Sequence, residues 1–77
     1  MASKKPTRRL TAAVQREGKL YVAQCLEVDV ASQGKSLEDA LKNLTEALEL
    51  FFEDSDDTAI SATPIIAPVE VRLPRAV

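Results

Sequence analysis

At 77 residues the chain is long enough for one small domain, and its single cysteine, Cys25, excludes an intrachain disulfide and points to a reducing compartment. Histidine is missing altogether, which removes the commonest general base and the commonest metal ligand. The net charge of −2 conceals a segregation: Lys4, Lys5, Arg8, Arg9, Arg16 and Lys19 crowd the first quarter, while Glu38, Asp39, Glu46, Glu49, Glu53, Asp54, Asp56 and Asp57 crowd 38–57 against one base, Lys42.

Residues 1–7 are polar and contain Pro6, so a disordered basic tail is expected there, followed by one domain over 8–74 and a short tail over 75–77. Arg8 to Glu17 alternates, with Leu10, Ala12 and Val14 on one face, as a half-buried strand would. Glu17-Gly18-Lys19 is a hairpin turn. Leu20 to Cys25 is a second strand, with Tyr21, Ala23 and Cys25 on one face and Leu20 and Val22 on the other, the two-sided pattern of a central strand. Leu26 to Asp29 is a link, Val30 to Gln33 a third strand, and Gly34-Lys35 a turn.

Ser36 to Asp54 is the strongest element. Leu37, Ala40, Leu41, Leu44, Ala47, Leu48, Phe51 and Phe52 recur in steps of three and four, one stripe of an α-helix. Ser36 and Asp39 form a capping box with Asp in place of Glu, and Glu38 and Asp39 suit the positive end of the helix dipole. After a loop over 55–63, Ile65 to Leu73 is expected to be a fourth strand, with Val69, Val71 and Leu73 facing one way. Pro64, Pro68 and Pro74 restrict that strand to a sheet edge. The order β-β-β-α-β predicts an α+β fold, a two-layer sandwich in which the sheet covers the helix stripe.

Chemistry-bearing constellations are few. Gly18 and Gly34 are isolated, so no phosphate-binding glycine loop exists. A calcium loop beginning at Asp54 would need Gly and Glu where Ala59 and Ile65 stand. Glu27 and Asp29 sit on a link with no nucleophile nearby, Cys25 lies among small residues as a core thiol would, and the basic start has no aromatic partners for stacking on bases. No catalytic residue, metal or cofactor is expected, nor a membrane span, and a cytoplasmic protein is the natural reading.

The unusual feature is the acidic end of the helix. Glu49 and Glu53 repel at i,i+4, and Glu53 and Asp54 stand where the dipole disfavours negative charge. Arg72, Arg75 or the basic tail could offset part of this, and a cationic partner surface is the other way to relieve it. Glu27, Asp29, Glu46, Glu49, Glu53 and Asp54 are therefore the expected partner-binding residues.

The run from Tyr21 to Glu53 resembles the N-terminal domain of HicB-type antitoxins. It carries Tyr21-Val22-Ala23-Gln24-Cys25, the acidic link Glu27-Val28-Asp29, Ser32-Gln33-Gly34, the cap Ser36, and a helix beginning Asp39-Ala40-Leu41-Lys42-Asn43-Leu44. The resemblance extends over about Arg8 to Leu73. Leu26 stands where that family commonly has Pro, and Asp29-Val30 where it often has Pro-Gly. It implies a partial ribonuclease-H-like fold and a non-enzymatic protein that sequesters a small basic mRNA-cleaving toxin of the HicA type. A homodimer or homotetramer is implied too. The alternative is a solitary oligomeric relative with a structural or regulatory binding role and no toxin. Many members continue into a C-terminal DNA-binding domain; with the chain ending at Val77, direct DNA binding is not expected.

Overall fold

A computed structural model describes residues 7–54, 60 and 62–75. Residues 1–6 of the expected basic tail, Asp56 and Asp57 of the acidic run, most of the expected 55–63 loop, and residues 76–77 lie outside the described residues. The elements run β1 (Ala12–Glu17), β2 (Leu20–Cys25), β3 (Ala31–Gly34) and α1 (Leu37–Asp54). The strands form an antiparallel meander in the order β1-β2-β3, and α1 lies across one face, giving the two layers of an α+β sandwich.

Local chemistry sets the hairpin. Glu17 pairs with Leu20, leaving Gly18 and Lys19 as a two-residue loop. Gly18 takes φ +63, and no other described residue has a positive φ, so the glycine supplies the left-handed first position of a type II′ turn. The Arg16 Nε–H donates to the Gly18 carbonyl at 3.2 Å, and its guanidinium lies over the cross-strand Tyr21 ring at 5.9 Å.

The helix begins with one half of the expected capping box, the Asp39 N–H donating to Ser36 Oγ at 3.0 Å; the return bond from the Ser36 amide to the Asp39 carboxylate is not made. Its N-terminal half approaches β3 closely. A Cβ at Gly34 would stand 2.6 Å from the Ala40 backbone nitrogen, so glycine is required by space, beyond the turn role its sequence context suggests. Asn43 reaches from the helix and donates to the Gln33 carbonyl at 2.8 Å, tying α1 to β3. Ala40 and Leu44 bury completely or nearly so against Ala23, Cys25 and Val28, and Tyr21, Leu48, Phe51 and Phe52 pack around them. The Phe51 and Phe52 rings meet edge to face at 4.9 Å. Cys25 lies in this core, as its neighbours in sequence suggest.

Three expectations are corrected. β1 starts at Ala12 rather than Arg8, and β3 is shifted by one residue, to Ala31–Gly34. More consequentially, Ile65 to Leu73 forms no strand: residues 62–73 carry no regular structure, and Val69, Val71 and Leu73 are exposed. Alternation gives a segment the makings of a strand, but a ladder also needs a neighbouring edge, and among the described residues no strand pairs with this segment.

Candidate functional site

Over residues 46–54 of α1 the exposed residues are Glu46, Glu49, Leu50, Glu53 and Asp54. Steps of three and four put them on one side of the last two and a half turns. The last turn carries no basic residue. Four carboxylates therefore gather near the negative end of the helix dipole, where each charge is disfavoured. Leu50 stands in their midst with 63% of its surface exposed. It lies off the buried stripe, so periodicity alone passes over it. The signal that could have found it is an isolated leucine in the polar arc of an otherwise acidic helix face.

Asp29 is exposed at the centre of a tight turn, closed by the Val30 N–H donating to the Val28 carbonyl at 2.9 Å. The topology carries the acidic stripe toward it. Leu48, Glu49 and Phe52 line the same groove as Leu10, Thr11 and Ala12, so the end of α1 returns to the end of the sheet where β1 begins. Ala12 pairs there with Cys25, and the chain then enters the Asp29 turn. Asp29 and the acids of the last helical turns thus belong to one end of the molecule.

Glu27 stands apart from that set. It is turned inward with only 2% of its surface exposed. Its Oε1 accepts the Thr11 N–H at 2.8 Å and its Oε2 the Thr11 hydroxyl at 2.9 Å, while Cys25 Sγ lies 3.6 Å from Oε1. The Leu26 N–H donates to the Thr11 carbonyl at 2.9 Å, so a carboxylate and a backbone amide together hold Thr11 just before β1. Foremost the Thr11 amide bond, opposed by burial and reinforced by the Thr11 hydroxyl and the Cys25 thiol, holds the Glu27 carboxyl below the usual glutamate range. A short acidic link in sequence cannot distinguish this inward carboxylate from the outward Asp29 two residues on.

The groove beside β1 has a volume of about 720 Å³ and is lined chiefly by Leu10, Leu41, Leu44, Leu48, Phe52 and Ile60, with Arg8 and Glu49 among its polar residues. Among the described residues no three His, Cys, Asp or Glu side chains gather as a metal-binding set, and no helix is long and apolar enough to cross a membrane.

Fold and surface together define a small α+β module that exposes an acidic helix face centred on a leucine. The chain is similar to a UPF0150 protein of Helicobacter pylori, at 46% identity over 44 residues; the match takes in 52% of this chain and 61% of that protein's length. No family model matches the chain, and no solved structure does.

Proposed function

We propose that this protein is a HicB-like antitoxin module with a partial ribonuclease-H-like fold, and that it sequesters a small basic RNA-cleaving toxin of the HicA type without being an enzyme itself. The observation that carries the proposal is Leu50, exposed inside the carboxylates Glu46, Glu49, Glu53 and Asp54. An apolar anchor ringed by charge of one sign is the form of a surface that docks on a cationic protein: the ring steers and orients, and the anchor supplies the desolvated contact. Asp29, at the same end of the molecule, extends the negative field. The Tyr21–Glu53 sequence pattern supports the same reading. Glu27 serves it indirectly, by fixing the start of β1.

The test is calorimetric titration with a small basic toxin of the HicA type, at low and high salt. The complex should form at low ionic strength and weaken as salt rises. Leu50→Ala should leave folding stability within about 0.5 kcal/mol, since the side chain is already exposed. It should weaken the complex by about tenfold or more. No complex at low salt would refute the proposal. The alternative, a solitary module that associates only with itself, draws on a different observation, the exposed apolar segment after the helix.

A further inference from the structure

The segment 62–75 has no place in its own protomer. Ile65 is 92% exposed and Val69 84%, and Ile66, Val71 and Leu73 are exposed with them. The molecule extends 62 × 29 × 18 Å with a radius of gyration of 16.1 Å, where a compact chain of this length would have about 11–12 Å. Five large apolar side chains on one exposed arm exceed what a solvated tail presents without purpose. Their order, Val69-Glu70-Val71-Arg72-Leu73, is that of a strand with one apolar face.

The body has the matching deficit. Among the described residues β1 pairs only with β2, so its outer edge presents backbone groups that no described strand pairs. The other edge, on β3, is four residues long and already has its Gln33 carbonyl taken by Asn43. Beside β1, the groove exposes apolar surface of Leu10, Leu41, Leu48 and Phe52. The buried core is small, comprising Ala23, Cys25, Val28, Ala40 and Leu44 among the described residues. An open edge next to an open apolar groove is the receptor for an alternating strand.

We propose that Ile65 to Leu73 is an exchange arm: two copies of this chain associate by each laying its arm against β1 and into the groove of the other. The occupant is a second copy rather than the arm's own protomer for a reason visible along the chain. Ile60 already packs at the groove of its own body, while residues 65–75 beyond it are all exposed. Pro64 and Pro68 stiffen the outgoing segment, because each fixes φ and keeps the preceding residue extended. Such a segment reaches a neighbour more readily than it doubles back. Proline-free alternation resumes at Val69, and the N–H groups of Val69–Leu73 are available to a ladder. Glu70 and Arg72 on the arm and Glu49 and Arg8 in the groove offer opposite charges in both directions. Reciprocal exchange closes the pair, since both arms and both β1 edges are used up together. The inference does not depend on whether the acidic helix face binds a toxin.

The experiment uses the full chain. Light scattering after size exclusion should give twice the chain mass, and Val69→Glu combined with Val71→Glu should give the single mass with the circular dichroism of the helix retained. An equal mixture of ¹³C-labelled and unlabelled protein then assigns the contact. Isotope-filtered NMR should show intermolecular cross-peaks from Val71 methyls to Leu48 or Phe52. A monomer at millimolar concentration overturns the proposal. So does a dimer in which those cross-peaks are only intramolecular, or in which Val71 meets neither residue. If the double variant fails to fold, the labelled mixture of unaltered protein still decides.

Discussion

Leu20–Cys25 and Val69–Leu73 are written in the same alphabet, β-branched and aliphatic residues at alternate positions, yet they meet opposite ends. β2 lies between two neighbours, with Ala23 and Cys25 buried. Val69, Val71 and Leu73 face solvent with no ladder. The difference lies in what stands next to each. β2 receives its first partner through a two-residue turn, at almost no loop-closure cost, and its second through a short link. The free edge available to the later segment belongs to β1, more than fifty residues earlier in the chain, and local signals cannot deliver it. Strand propensity is a property of a segment; strand pairing is a property of its surroundings.

Substitutions can sharpen that contrast. The largest effect should come from Leu44→Ala, which removes the largest of the buried side chains and costs about 2–5 kcal/mol in urea denaturation. The same kind of truncation at Val71, measured on dilute protomer, should stay within about 0.5 kcal/mol. Equal losses at the two sites would erase the distinction between body and arm. Gly34→Ala should follow, at about 1–3 kcal/mol, because the new methyl meets helix backbone rather than a side chain that could swing away. A wild-type stability for that variant would mean that β3 and α1 separate easily.

A smaller, pH-dependent effect is expected at Glu27. Its folded-state pKa is depressed, chiefly by the Thr11 amide, so its contribution is present above the unfolded-state value of about 4.3 and is lost as pH falls through the folded-state value. Glu27→Gln should lower stability at neutral pH, and the gap to the parent protein should close as pH falls below the usual glutamate range. A gap that persists unchanged in acid would show that the carboxylate charge is not what fastens Thr11.

Much of the body was legible along the chain. The Ser36 cap, the helix stripe and the Gly18 turn are local, and local physics decides them: a hydroxyl three residues from an unsatisfied amide, apolar steps of three and four, a glycine where φ must be positive. The candidate site was legible in part. The acids of the helix end fall together because helical spacing brings them together. The inward turn of Glu27 and the steric demand on Gly34 became visible only once the layers were stacked.

The sequence by itself determined a three-strand meander capped by one amphipathic, acid-ended helix, because each of those elements is specified by residues within a few positions of one another. Only the tertiary structure decided that Glu27 is a fastening and Asp29 a surface charge, that β1 keeps an open edge, and that Ile65–Leu73 finds no partner in its own body. Those outcomes depend on which groups from distant parts of the chain come within bonding distance, and no local pattern encodes that distance.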